Sequence, residues 1–255
     1  SLRPLRGEIW DITSPEVIEP IMKKIIASLG NNDPKSAEKE KQNQKILSLY
    51  PELQRRVKTA EHPLRTSAQL ASLGNAIDVM MKGGAADIQK IIEEQLAYPL
   101  QKNTFEILEK RILNSNRILY FGDNAGEIVL DRLFIETIKA QHDTEIIFVV
   151  RSIPTLNDAT LKDAEQTGVV NLVRVIENGI GGPVPGTLLD RCSREVKGLF
   201  QESDLIISKG GGNFDTLDEL PEKSKKKISY LLLSKCQPYE TFFGVGLQRP
   251  ILYNA

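Results

Sequence analysis

Histidine is nearly missing from this chain. Only His62 and His142 occur in 255 residues, so neither a Ser-His-Asp triad nor a multi-histidine metal centre is expected. Cysteine is equally scarce. Cys192 and Cys236 lie far apart in sequence, which excludes a disulfide framework or a cysteine-rich zinc site and suits two reduced cytosolic thiols. Charge of one sign is lacking too: 33 Lys and Arg against 34 Asp and Glu leave a formal net charge of -1. That balance gives no electrostatic footprint for nucleic acid or for an anionic membrane. No apolar run is long enough to span a bilayer and there is no signal-peptide pattern. A cytoplasmic location is therefore expected, and Ser1 in place of methionine suggests a processed or engineered start. With imidazole and thiolate so limited, a bound metal would take mostly oxygen ligands, which suit Mg or Mn.

What is present falls into two textures. Up to about residue 115 the chain reads as helix after helix. "SPEVIEPIMKKIIASLG" offers Ser14 as an N-cap, Pro15 at the first helical position and Gly30 as a stop. "DPKSAEKEKQNQKILSLY" is highly charged and reads as a solvated helical face, and "HPLRTSAQLASLGNAIDVM" carries apolar residues at helical spacing. From about residue 116, short β-rich runs alternate with helical stretches: "RILYF", "EIIFVV", "LVRVI", "DLIIS", "YLLLS" and "ILYN". This alternation predicts an α/β fold, a Rossmann-like and largely parallel sheet flanked by helices. The expected division is an all-helical domain over 1–115 and a Rossmann-like metal- and phosphate-binding domain over 116–255.

In open α/β sheets, ligands bind outside the carboxyl ends of the strands. Polar residues gather there in this sequence. The first strand is followed by Gly122-Asp123-Asn124, the second by Arg151 and then Asn157-Asp158. The third leads into Asn178-Gly179 and a Gly/Pro-rich loop ending in "PGT", the fourth into "SKGGGNFDTL", the fifth into Lys235-Cys236. Taken singly, Asp123 or Asn124, and Asn157 or Asp158, could simply cap the next helix. Taken together, two carboxylates and an amide at one edge resemble an oxygen-ligand set for one divalent cation.

The glycines after Lys209 follow a strand and precede a helix-like stretch, where backbone N–H groups can cradle an anion. This is not a Walker A loop, because Lys209 precedes the glycines, and "GDNAGE" is not the G-x-G-x-x-G fingerprint. A dinucleotide or S-adenosylmethionine site usually wants an acid near the end of the second strand. Arg151 stands there instead and suits phosphate, unless it is only a surface salt-bridge residue. With a divalent cation balanced by Asp123 and Asp158, Lys209 and Arg151 would balance a phosphate dianion. The lysines of "KSKKK" read as a solvated helix face, Cys192 as a buried helix position, and Cys236 as a thiol with no histidine placed to activate it.

"LASLGNAID", "GDNAGEIVLD", "RSIPTLNDAT" and "SKGGGNFDTL", in that order, resemble the metal-dependent damage-control phosphatases, first catalogued as a domain of unknown function. The resemblance spans roughly residues 60 to 255, with weaker similarity upstream in "SPE" and "NDP". It implies a metal held by Asp123, Asn124 and Asp158, a phosphate ester beside it, and Lys209 on the phosphoryl group. It also implies that Asn75 and Asp78 reach the pocket from the helical region. Their spacing of three puts both on one helix face, which a solvated face explains equally well. The family hydrolyses phosphorylated metabolites, often sugar phosphates or damaged cofactor intermediates, with Mn, Co, Ni or Mg. Some relatives carry paired cysteines near their start, and this chain has none.

The expectation is a metal-dependent phosphoric monoester hydrolase acting on a small phosphorylated metabolite. Asp123, Asn124, Asp158 and Lys209 form its catalytic set. Arg151, Asn157, Lys209, Gly210, Gly211, Glu127, Asn75 and Asp78 are expected to contact substrate, and the general base stays open between Asp78 and Glu127. The rivals are an S-adenosylmethionine-dependent methyltransferase and a non-catalytic sugar-phosphate-binding module.

Overall fold

Six apolar runs pair into one sheet in the computed structural model, which describes residues 12–73 and 85–255. They are β1 (Arg117–Phe121), β2 (Glu145–Val150), β3 (Arg174–Glu177), β4 (Leu205–Lys209), β5 (Ile228–Leu233) and β6 (Pro250–Asn254). The order is β3-β2-β1-β4-β5-β6, parallel except for β6, which runs antiparallel to β5. Among the described residues five helices precede β1: α1 (Ser14–Leu29), α2 (Ser36–Thr59), α3 (Pro63–Ala71), α4 (Ala85–Leu96) and α5 (Lys102–Leu113). Six more connect the strands: α6 (Glu127–Gln141), α7 (Leu161–Thr167), α8 (Arg194–Glu202), α9 (Gly211–Leu217), α10 (Glu222–Lys225) and α11 (Gln237–Phe243).

Alternation along each strand sorts the side chains into two apolar layers. Ile118, Tyr120, Phe148 and Ile207 join Ile46 and Leu53 of α2, Leu64 of α3 and Phe134 of α6. Leu119, Phe121, Ile147 and Ile206 pack on the other face against Phe200 of α8, Phe214 of α9 and Tyr239 of α11. With helices on both faces, β4 and β5 are buried at every position, as parallel strands are when covered on both sides. Helices α2 to α5 share the first layer with the sheet.

Two helix readings change. The N-cap of α1 is Thr13, one residue before the expected Ser14, because Glu16 stands three residues beyond Thr13 and closes a capping box. The Thr13 N–H and hydroxyl both donate to Glu16 Oε2 at 2.8 Å. Gly30 ends α1 in the left-handed region, as expected. The second change concerns α2, which is not wholly solvated: Lys39, Asn43, Ile46, Tyr50, Leu53 and Val57 form a buried stripe. Its polar members are matched across the interface. Lys39 pairs with Asp33 at 2.8 Å and Asp163 at 3.3 Å. Asn43 Oδ1 accepts from the Gly126 N–H at 2.6 Å, while its Nδ2 donates to Asp163 Oδ1 at 2.9 Å.

The chain winds from β1 outward to β3, then returns to the other side of β1 as β4. That reversal opens a crevice beyond the carboxyl ends of β1 and β4. Asn43 braces the loop after β1 from the helical side. Asn43→Ala leaves the Gly126 N–H without its acceptor, and we expect a loss of about 1–3 kcal/mol of stability. Urea denaturation measures it, and an unchanged midpoint would show that this bond stabilises nothing.

Candidate active site

Two loops build the site, and backbone pairing locks them together. Asn124 and Asp158 form an antiparallel bridge. The Ala125 N–H donates to Asn157 O at 2.8 Å, and the Ala159 N–H donates to Asp123 O at 2.7 Å. Asp123, Asn124 and Asp158 are thereby held side by side. The loop after β2 is strained at Leu156, whose φ of 46° is rare for a residue other than glycine. Neither Asp123-Asn124 nor Asn157-Asp158 caps a helix. Gly126 precedes α6, and α7 is capped by Thr160 in a box with Asp163.

Arg151 lies behind the two loops and is buried, so the surface salt-bridge reading fails. Its Nε donates to Asp158 Oδ2 at 2.6 Å, and its Nη1 donates to Gly186 O at 3.0 Å and Thr187 Oγ1 at 3.2 Å. Its Nη2 donates to Asn213 Oδ1 at 3.0 Å and stands 3.8 Å from Asp123 Oδ1. Asn213 Nδ2 in turn donates to Gly122 O at 3.0 Å and Lys209 O at 2.8 Å, tying the ends of β1 and β4 together. Burial pushes the Asp123 carboxyl well above the ordinary carboxylate range, and the charges of Asp158 and Glu127 add to that. Burial also raises Asp158, against the pull of Arg151. The loop after β4 approaches this pair closely. A Cβ on Gly210, where φ is 76°, would lie 1.8 Å from Asp123 Oδ2, so glycine is required there. A Cβ on Gly211 would lie 2.4 Å from the Tyr239 hydroxyl.

Lys209 stands where the sequence alone did not put it. It is fully buried, and its Nζ donates to Glu127 Oε1 and, at 2.7 Å, to Asp131 Oδ1. The Tyr120 hydroxyl also donates to Asp131 Oδ1 at 2.7 Å. Burial works against the Lys209 ammonium, but the Asp131 and Glu127 carboxylates outweigh it and raise its pKa. Burial lifts Asp131 above its ordinary value even against Lys209. Lys209 and Glu127 are thus absorbed by each other, while the exposed Lys235 lines the cleft and makes no hydrogen bond or ion pair with any described residue.

The cleft measures about 670 Å³. Asp123, Asn124, Asn157, Asp158, Lys235 and Cys236 line it from the sheet edge, and Ser14, Pro15 and Ile18 of α1 line it from the opposite side. Asp215 joins the two sides, accepting from the Ser14 and Tyr239 hydroxyls. Cys192 is buried, as expected, but in the bend before α8 rather than in a helix, and burial pushes its thiol up to about 12; both cysteines are free. Asn75 and Asp78 lie outside the described residues. Sequence reasoning did not single out Asp131, Thr187, Asn213, Asp215 or Tyr239. Asp131 ends "GDNAGEIVLD", Asn213 and Asp215 stand in "SKGGGNFDTL", and Thr187 ends the "PGT" loop, so those stretches held the signal; Tyr239 is placed only by the fold.

Among the described residues no three His, Cys, Asp or Glu side chains form a metal cluster. The donors gathered here are two carboxylates and a carboxamide, an all-oxygen set suited to a hard divalent cation. The charges fit one as well. Asp123, Glu127, Asp131 and Asp158 are buried against Arg151 and Lys209, two carboxylates in excess of these cations, with Lys39 and Lys235 adding weaker attraction at Asp158.

The family model of the damage-control phosphatase ARMT1-like domain matches residues 10–250. An uncharacterised protein of Methanocaldococcus jannaschii is 36% identical over 240 residues, covering 92% of this chain and 77% of that protein. A damage-control phosphatase of Pyrococcus horikoshii is 31% identical over 208 residues, 82% of this chain and 70% of its own length. One of Archaeoglobus fulgidus is 30% identical over 234 residues, 89% of this chain and 77% of its own. The crystal structure of a DUF89 family protein from Pyrococcus horikoshii aligns with a TM-score of 0.81 at 27% identity, covering 92% of this chain and 80% of that one.

The Lys209 contacts set an expectation for stability. Lys209→Met leaves Glu127 and Asp131 buried without their cation and should cost about 3–5 kcal/mol. Adding Asp131→Asn to that variant should recover part of the loss. Denaturant titrations of the two variants check this, and a single variant as stable as the parent would contradict it.

Proposed function

Because the chain belongs to the ARMT1-like damage-control phosphatase family, we propose that it is a cytosolic, metal-dependent phosphatase acting on a small phosphorylated metabolite in the cleft beside Asp123. The observation that carries this reading is the locked pair of loops, which packs Asp123, Asn124 and Asp158 together with a surplus of buried negative charge. Those three residues would hold the ion, with Mn, Co, Ni and Mg as the candidates. When bound, the ion supplies Lewis-acid polarisation of a phosphoryl oxygen.

The chain's own residues divide the remaining work. Arg151 aims Asp158 and opposes the effect of burial on it, and four of its N–H groups are taken up by Asp158, Gly186, Thr187 and Asn213, with Asp123 3.8 Å from Nη2. Among the described residues that line the cleft, Lys235 is the cation left to receive the phosphoryl oxygens, the part first expected of Lys209. Asn157 and α1 meet the leaving group, and Ser14, Pro15 and Ile18 limit its size and exclude water. A cleft of about 670 Å³ suits a small metabolite. An S-adenosylmethionine site would want an acid where Arg151 stands, which favours the phosphatase reading over a methyltransferase. The two free thiols fit a reducing compartment.

Asp123→Ala should lose Mn²⁺ binding and phosphate release together. Without metal its stability should equal or exceed that of the parent, because the repulsion with Asp158 is gone. Thermal melts with and without Mn²⁺ read the first effect, since a ligand bound only by the folded state raises the midpoint. Phosphate release across sugar phosphates and phosphorylated cofactor intermediates reads the second. Lys235→Ala should keep the Mn²⁺ shift but lose about 2–3 kcal/mol of transition-state stabilisation. An Asp123→Ala protein that still gains stability from Mn²⁺ and still turns over would contradict the proposal.

A further inference from the structure

Asn124 can serve a cation only through Oδ1, because its carboxamide nitrogen carries two hydrogens and acts as a donor. The two ends of the group are alike in shape, so hydrogen-bond partners alone decide which one meets the cleft. Here both nitrogen hydrogens have acceptors: Asp123 Oδ2 at 2.7 Å and Glu127 Oε2 at 3.3 Å. Oδ1 accepts no hydrogen bond from a described residue, and Asn124 lines the cleft. Glu127 is buried, and its other oxygen, Oε1, accepts from the fully buried Lys209.

Glu127 is not needed as a counter-ion. Lys209 already pairs with Asp131 at 2.7 Å, so Glu127 adds a second buried carboxylate to a single cation. A surplus buried charge costs stability unless it performs another task. We propose that Glu127, clamped by Lys209, is a positioning residue that fixes the Asn124 carboxamide with its oxygen toward the cleft. The inference rests on the metal reading above. It gives Lys209 a part in the site without contact to substrate.

Glu127→Gln tests this with almost no change of shape. Glutamine has one oxygen and one NH₂ group, and the Lys209 ammonium, which can only donate, claims the oxygen. The NH₂ group then faces Asn124 Nδ2, donor against donor. Turning over would offer Oδ1 to Gln but set it against Asp123 Oδ2, which now accepts from the nitrogen at 2.7 Å, so the carboxamide loses its single orientation toward the cleft. The variant should melt at or above the parent without metal, because the surplus charge is gone. Its Mn²⁺ affinity, measured by calorimetric titration, should fall about 10–100-fold, the scale for a lost supporting contact behind a ligand.

Adding Asn124→Asp to Glu127→Gln should restore most of that affinity. A carboxylate has two equivalent oxygens and no orientation to lose, and the glutamine NH₂ can donate to one of them. Three outcomes overturn the inference while the metal reading stands. They are parental Mn²⁺ affinity in Glu127→Gln, a Glu127→Gln protein that is destabilised or fails to fold, and lost affinity that Asn124→Asp does not recover. Failure of the parent protein itself to bind Mn²⁺ would overturn the metal reading and, with it, this inference.

Discussion

Burying carboxylates is costly, and the carboxyl edge of this sheet is organised around that cost. Asp123, Glu127, Asp131 and Asp158 are all buried within reach of one another, against the buried cations Arg151 and Lys209. Each cation is shared between two carboxylates. Arg151 holds Asp158 and stands near Asp123, and Lys209 holds Glu127 and Asp131. The two charges left over are what one divalent cation would neutralise. Without a cation that cost falls on the charged forms, and burial lifts Asp123, Asp131 and Asp158 above their ordinary values.

The fold supplies the rigidity that such a cluster needs. The reversal of winding at β1 places the loops after β1 and β4 side by side, and the loop after β2 is stitched to the first by backbone bonds. Asn213 fastens the ends of β1 and β4, and Gly210 lets the β4 loop come close to Asp123. From the helical side Asn43 reaches both loops, bonding the Gly126 N–H directly and the Asp158 loop through Asp163. On the opposite side α1 closes the cleft through Ser14 and a Glu19–Arg191 ion pair.

Much of this was legible in the sequence. All six strands were readable because each is a short apolar, β-rich run between polar turns, and their carboxyl ends marked the site. The role of Lys209 was harder to read, because following a strand does not say which face a side chain takes. Alternation decides it. Lys209 shares its pleat face with Leu205 and Ile207, on the side covered by α6. There Glu127 and Asp131, four residues apart on α6, meet it. The buried stripe of α2 was hidden because Lys39 and Asn43 look like solvated residues until Asp163 and Gly126, distant in sequence, are brought against them. Thr13 and Ser14 are adjacent hydroxyl residues, and only the position of Glu16 selects the first as the cap.

The central claim is that Asp123, Asn124 and Asp158 hold one divalent cation. Anomalous diffraction from crystals grown with Mn²⁺ tests it most directly. The account predicts a single strong peak among the oxygens of these three residues, with the Asn124 carboxamide oxygen facing it. Crystals with no peak at that position, or with Mn²⁺ bound only at other carboxylates on the surface, would contradict it.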